Sequence, residues 1–472
     1  MIRLAVIGTN WITDQFVAAA LKTGEYALTA VYSRDLSSAQ AFGEKYQVEH
    51  YFDDLSSLAT SDVMDAVYIA SPNSLHGPQA IQMMQAGKHV IVEKPMASNY
   101  ALAKKMYEVA KDNSVVLFEA FMSPHTPNFK VVQQAIKEIG AIRLAHISYC
   151  QYSSRYQKYL DGEQPNTFNP AFSNGSIMDI GFYCVGAAVE LFGAPVSIQA
   201  SAHKLESGVD SSGNVILSYP DFNVILSHSK TSNSALPSEI QGEAGSVLVE
   251  MISYGESVTR INRDGKREDL TVEQDKNPML YEAIQFARQV NEQFVDEHCQ
   301  TRSLEVARVI TEIRQQTGIV FPADVEQQRE TMMQAEVKWI EEFKFLGHSQ
   351  SGHSVVMDGN GGATAPSPME LVLMAAGGCS SVDVVDGLKT AKQAVTECVA
   401  SLSTERRETA PRIFTKVNIH FEVKGDNLDP AIVAKVAADS LEKYCSVCLM
   451  LGEGVEMTTR GKLWSSYAAQ RI

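Results

Sequence analysis

Five short apolar runs, at residues 2–8, 27–33, 65–71, 88–93 and 115–121, alternate with helical stretches rich in Ala, Lys and Met. Strands that alternate with helices are joined by right-handed crossovers, and such crossovers build a parallel sheet. The first run ends in Gly8-Thr9-Asn10-Trp11-Ile12-Thr13 and leads into a helical pattern from Asp14 to Leu21. A strand, a tight turn and a helix N-terminus form an anion site, because unpaired N–H groups and the helix dipole both point at a pyrophosphate. The loop departs from G-x-G-x-x-G, with Asn10 at the second glycine and Thr13 at the third, so taken alone it also fits an ordinary strand-to-helix turn.

The second run ends Tyr32-Ser33-Arg34, without the acidic residue that grips a free ribose 2′-hydroxyl. Arg34 suits a 2′-phosphate and so points to NADP, while Asp35 beside it leaves NAD open. The alternative for Arg34 is a solvated surface arginine. From residue 142 to about 260 the pattern changes to alternating runs at 142–149, 196–203, 215–219 and 224–228 between Gly, Ser and Asp turns, which predicts a mostly antiparallel sheet. Helical patterns at 279–291 and 303–316 close this part.

A length of 472 residues exceeds what one hydrophobic core supports, and 45% apolar residues is ample for several. A formal charge of −16 argues against nucleic acid or an anionic membrane as partner. The chain runs directly into its first strand, and no apolar stretch reads as long enough to span a bilayer. Seven cysteines, an odd number without framework spacing, suit a reducing cytoplasm.

A polar stretch at 321–332 reads as a linker, with a new domain starting near Met332-Met333. The expected organisation is a dinucleotide-binding domain at 1–122, a substrate and dimerisation domain at 123–320, the linker, and a last domain at 333–472. In the last, strands are expected at 335–346 and 353–357, then a long helix from Pro368 with Ser367 as N-cap and Glu370 closing a capping box. Strands at 398–404 and 413–423, a second helix from Pro430 and a strand at 455–463 follow. That second helix carries Cys445 and Cys448 on one face. A single C-x-x-C pair without evident partners predicts no metal site.

Three ordered motifs carry a resemblance over residues 1 to about 330: Ser71-Pro72-Asn73-Ser74-Leu75-His76, Glu93-Lys94-Pro95, and Gly175-Ser176-Ile177-Met178-Asp179-Ile180-Gly181-Phe182-Tyr183. Together they resemble the Gfo/Idh/MocA oxidoreductases. The resemblance implies a Rossmann domain plus an α+β domain whose sheet carries the substrate pocket and a dimer interface. It places Lys94 beside the nicotinamide, often with a cis peptide before the proline, and Ser71, Asn73, His76 and Glu93 around the cofactor. Moving a hydride to or from a carbinol carbon requires a proton to leave or join the oxygen, and Lys94 and Tyr183 are the candidates. Partial burial and a positive nicotinamide would lower the Lys94 pKa, and Asp179 would orient Lys94 or the substrate. The competing readings are a surface lysine, a core tyrosine and, for His76 and His125, satisfied structural histidines.

The motifs Ala365-Pro366-Ser367-Pro368-Met369-Glu370-Leu371, Gly377-Gly378-Cys379 and Lys443-Tyr444-Cys445 resemble the OsmC/Ohr family, over nearly all of residues 334–472. That resemblance implies an α+β intertwined dimer with a peroxidatic cysteine at Cys379 and a resolving cysteine at Cys445. The chain departs from the family in having no arginine between Arg329 and Arg406, and Ser446-Val447-Cys448 where the family has proline-valine-serine. Arg406, Arg407 or Arg412 from a partner chain is one substitute; a structural dimerisation module is the competing view. The combined expectation is a cytoplasmic, homodimeric or larger NADP-preferring oxidoreductase acting on a small sugar-like or cyclic polyol substrate, fused to an OsmC-like thiol domain. A nucleotide-binding sensor or scaffold without turnover is the alternative, as is a hydroperoxide reductase.

Overall fold

The five apolar runs and one further strand form a six-stranded parallel sheet: β1 (Ile2–Ile7), β2 (Tyr26–Tyr32), β3 (His50–Phe52), β4 (Ala66–Ile69), β5 (His89–Glu93) and β6 (Leu117–Ala120), in the order β3-β2-β1-β4-β5-β6. This is the arrangement in the computed structural model of the protein, which describes residues 1–324, 335–349 and 351–463. β3 is three residues long and only partly covered, so it leaves no apolar run in the sequence. β4 and β6 are buried throughout, because helices lie on both faces of a parallel sheet. One apolar layer gathers Phe16, Val17 and Phe286, the other Met83, Met84 and Met106.

The strand order reverses between β1 and β4, and their C-terminal ends form the crevice where such sheets bind ligands. Gly8 sits there with φ 107°, and a Cβ on it would lie 2.8 Å from the Ala70 carbonyl oxygen. Only glycine lets the two loops approach this closely.

The chain divides into two compact units, Met1–Thr331 and Met332–Ile472. The expected linker at 321–332 starts as part of the first unit: Phe321 is fully buried, Arg314 stacks 3.9 Å from its ring centroid, and Arg314 pairs with Asp324. From residue 325 on, that stretch and the start at Met332-Met333 lie outside the described residues.

The rest of the first unit is an eight-stranded sheet, β7 (Ile142–Cys150), β8 (Ser197–Lys204), β9 (Asp210–Ser218), β10 (Asn223–Ser229), β11 (Ser238–Gly242), β12 (Gly245–Glu250), β13 (Ser257–Asn262) and β14 (Arg267–Asp269). The pairs in it are antiparallel except β7 with β10. A π-helical turn, Ile177–Gly181, leads into the helix Phe182–Phe192. The Ile177 amide donates to Asp210 Oδ2 at 2.7 Å, which ties this turn to β9.

Burial pushes the Asp210 carboxyl up to about 7 against the pull of these amides. A raised carboxylate pKa means the folded state holds the proton, so this contribution is full below the unfolded pKa and is lost as pH rises through about 7. Asp210→Asn is therefore expected to gain on the wild type by on the order of 4 kcal/mol between pH 4 and pH 8. Urea midpoints of the first unit's transition measure this; a constant gap would show that Asp210 does not titrate.

The second unit holds β15 (Ala335–Glu341), β16 (Lys344–Ser349) and β17 (Ser354–Asp358) in one sheet, and β18 (Ala394–Arg406), β19 (Phe414–Asp426) and β20 (Glu456–Leu463) in another. The single strand expected at 335–346 is split by a turn in which Glu342 takes φ 45°. The capping box forms: the Ser367 amide donates to Glu370 Oε2 at 2.7 Å, and the Glu370 amide to Ser367 Oγ at 3.3 Å. Val417, Ile419, Phe421 and Val423 of β19 are all buried, as their alternation predicts. The helix from Pro430 does not run through 443–448. It ends at Asp439, a π-helical turn spans Ser440–Tyr444, Cys445 is extended, and a new helix covers Ser446–Gly452.

Two helical stretches, Pro170–Phe192 and Pro368–Thr390, are long and apolar enough by length and composition to cross a membrane, contrary to the sequence reading. The first is largely buried in the core of its unit, which accounts for its apolar composition.

Candidate active site

Lys94 follows β5 at the carboxyl edge of the parallel sheet, joined to Pro95 by a cis peptide. Its Nζ donates to Asp179 Oδ1 at 3.0 Å and to the Asp179 carbonyl at 3.1 Å, and lies 4.7 Å from the Tyr183 ring centroid. The other Asp179 carboxylate oxygen accepts from Lys230, just past β10. The Lys94 and Lys230 side chains keep 12% and 9% of their exposure and Asp179 keeps 32%, so two nearly buried cations share a carboxylate that still meets solvent. Asp179 and Tyr183 meet at Lys94, one by hydrogen bond and one by ring face.

The expected lowering of the Lys94 pKa does not hold in this structure. Burial alone would lower it, but the negative potential of Tyr183, Asp179 and Glu93 and the Asp179 hydrogen bond outweigh burial and hold it raised. Tyr183 is raised by burial, with Lys94 opposing. For Asp179, burial is overcome by Lys230 and Lys94, which keep it well below the carboxylate range.

The residues expected around the cofactor divide into two groups. Gly8 and Thr9 form the turn after β1, Trp11 and Ile12 open the helix that follows it, and Ser33 and Arg34 follow β2, with Arg34 exposed. Asp35 is turned away as the N-cap of the helix Leu36–Glu44, accepting from the hydroxyls of Ser37 and Ser38 at 2.7 Å each. Asn10 caps the helix Trp11–Thr23: its side-chain oxygen accepts from the Ile12 and Thr13 amides, and its amide nitrogen donates to Ala70 O at 2.8 Å. It shapes the loop with a side chain where the fingerprint has glycine.

Ser71 Oγ donates to Gln79 at 2.6 Å, and Asn73 to the Ser173 carbonyl at 3.0 Å, bracing the loop after β4. His76 is buried, and its ring nitrogens lie 2.9 Å from the Pro95 carbonyl and 2.8 Å from the Ser71 carbonyl, the arrangement of a satisfied structural histidine. Alternation along β5 puts Glu93 on the face of Ile91, where it accepts from the Tyr68 hydroxyl at 2.6 Å. His125 packs against Phe118.

Lys230 and Tyr149, whose ring centroid is 5.8 Å from that of Tyr183, escaped the sequence reading. A lysine or tyrosine at the end of an apolar strand carries no local signal of its partner across the fold.

In the second unit, the donor atoms of Cys379, Asp383 and Cys445 lie within 4.8 Å of one another. Cys445 is fully buried and Cys379 half-buried. Burial pushes up the Cys445 thiol and takes Cys448 up to about 12. The Arg406 guanidinium donates to the Arg412 carbonyl.

Residues 2–121 match the Gfo/Idh/MocA description "Oxidoreductase family, NAD-binding Rossmann fold", residues 129–248 match "GFO/IDH/MocA C-terminal domain", and residues 359–460 match "OsmC-like protein". The sequence is 56% identical over 324 residues to "Uncharacterized oxidoreductase YgjR" of Escherichia coli (strain K12), covering 69% of this chain and 99% of the relative. It is 48% identical over 326 residues to "scyllo-inositol 2-dehydrogenase (NADP(+)) IolU" of Bacillus subtilis (strain 168), covering 69% and 99%. A separate stretch of 126 residues is 57% identical to "Protein YhfA" of Escherichia coli (strain K12), covering 27% of this chain and 94% of the relative. KijD10, a 3-ketoreductase from Actinomadura kijaniata solved with NADP and TDP-benzene, shares the fold with a TM-score of 0.61 at 24% identity, over 67% of this chain and 98% of that one.

Proposed function

The chain belongs to the Gfo/Idh/MocA oxidoreductases and carries an OsmC-like domain, and from that premise we propose that its first unit moves a hydride between NADP, in preference to NAD, and a cyclic polyol or its ketone. The observation that carries this reading is Lys94, poised at the sheet's carboxyl edge between Asp179 and the Tyr183 ring. The turn after β1 fits a dinucleotide: a Cβ would fill the Gly8 cradle, and the Asn10 and Trp11 amides have no partner among the described residues. Bound there, the dinucleotide supplies the hydride donor or acceptor.

The chain's own residues handle the proton. In polyol oxidation the carbinol hydrogen leaves with its electron pair and the hydroxyl proton passes to a base. Tyr183 Oη carries no hydrogen bond among the described residues and is the group placed to take that proton. The Lys94 ammonium at the Tyr183 ring stabilises the phenolate form that accepts it, and in ketone reduction the Tyr183 hydroxyl gives the proton back to the oxygen. Asp179 fixes Lys94, and Lys230 keeps Asp179 ionised. The "scyllo-inositol 2-dehydrogenase (NADP(+))" relative supports a cyclic polyol as substrate.

The cofactor preference rests on Asp35 being consumed as a helix cap while Arg34 is exposed and unpaired among the described residues. Arg34→Ala is expected to weaken NADPH binding by about 10- to 100-fold and leave NADH unchanged, since charge-assisted hydrogen bonds to the 2′-phosphate are lost. Titration of both nucleotides, followed by Trp11 fluorescence, reads this out; equal losses for both would overturn the preference. Turnover with inositol isomers and NADP+ tests the substrate class. A peroxidase role for the second unit is not favoured, because the Arg406 guanidinium is taken up by the Arg412 carbonyl rather than by a thiol.

A further inference from the structure

We propose that Cys379, Asp383 and Cys445 form a binding site for a thiophilic divalent cation of the zinc class. The sequence offered only Cys445 and Cys448, one pair without partners; the fold supplies the partners from the helix Pro368–Thr390. Cys379 and Asp383, four residues apart, share a face of that helix. The extended Cys445, at the break between the π turn and the helix Ser446–Gly452, comes to meet them. All three donor atoms lie within 4.8 Å of one another. Tetrahedral zinc with sulfur at about 2.3 Å and oxygen at about 2.0 Å needs donors roughly 3.5–3.8 Å apart, so small side-chain rotations close the set.

The surroundings support ligation. The Cys448 amide donates to Cys445 Sγ at 3.4 Å, a bond that strengthens with a thiolate. Ser440 Oγ donates to Asp383 Oδ2 at 3.3 Å and orients the carboxylate, as outer-sphere partners of a metal ligand do. The Cys448 thiol lies outside the set of three and donates to the Ala376 carbonyl at 3.9 Å, so the fourth position falls to water. No ammonium or guanidinium pairs with Asp383 among the described residues. Ionised together, two thiolates and a carboxylate would repel one another unless a cation sat among them. Two sulfurs and one oxygen select zinc-like ions over magnesium or calcium, which take oxygen donors. Binding displaces one proton from each thiol, so affinity falls as pH is lowered.

The test is a titration of reduced, metal-free full-length protein with Co2+ under argon, followed by Zn2+. The expected result is a thiolate-to-cobalt charge-transfer band with tetrahedral d–d bands, saturating at one Co2+ per chain and abolished by one equivalent of Zn2+. Cys379→Ser and Asp383→Asn should each weaken binding by more than about tenfold. Cys398→Ser, a half-buried thiol on β18 outside the cluster, should leave it unchanged. Absence of the charge-transfer band in wild-type protein overturns the proposal whether or not the variants fold. So does a band that Cys379→Ser leaves intact.

Discussion

Replacing Lys94 by methionine is expected to lower kcat by about three orders of magnitude while NADPH still binds, because positioned proton transfer contributes roughly 10²–10⁴-fold. Methionine keeps much of the stem's length but removes the ammonium that contacts Asp179 and the Tyr183 ring. The dinucleotide loop after β1 and the exposed Arg34 are untouched, so the Kd for NADPH should change little. Single-turnover kinetics alongside nucleotide titration separate the two effects. A variant that keeps a tenth or more of wild-type turnover would remove Lys94 from the chemistry. A wild type that binds NADPH but turns over none of the polyols or ketones tried would favour the scaffold reading.

Asp179→Asn should have the second large effect, and a different kind of effect. Lys94 and Lys230 would then face one another as nearly buried ammonium groups with no anion between them. Removing one partner of a buried ion pair costs about 3–5 kcal/mol, and the partial exposure of Asp179 places this case at the lower end. The Lys94 pKa, now raised chiefly by neighbours that include Asp179, would fall. The Asp179 charge also helps to raise the Tyr183 pKa, and Tyr183 must accept a proton in the oxidation direction, so the limb of the pH–rate profile where activity rises should move to lower pH as kcat drops. Adding Lys230→Met to this variant removes the surplus charge and should recover part of the stability. A rising limb that stays in place in Asp179→Asn would mean that Lys94 and its neighbour are not the groups that titrate.

The local pattern determined a good deal. Apolar runs spaced by helical segments dictate crossovers, and with them the parallel sheet and the position of its carboxyl edge. Gly8, Lys94, Asp179 and Tyr183 were legible because each sits in a short motif tied to a strand or helix end. The Ser367–Glu370 capping box was legible for the same reason, since it closes within one turn. Short-range hydrogen bonds and periodicity are properties of the chain itself.

Partners distant in sequence were decided by the tertiary structure alone. The Asn10 and Asp35 side chains serve as helix caps, and the His76 ring lies between two backbone carbonyls, because nearby amides and carbonyls had to be satisfied. Glu93 lies on the face of Ile91 because strands alternate, and there it meets the Tyr68 hydroxyl. Lys230 reached Asp179 across 51 residues of chain, and Cys445 reached Cys379 where the second helix broke. The pKa of Lys94 is raised where a lowering was expected, for the same reason. A pKa follows from the sum of burial and neighbouring charges, and those neighbours are set by packing of one element on another, which no local stretch of sequence encodes.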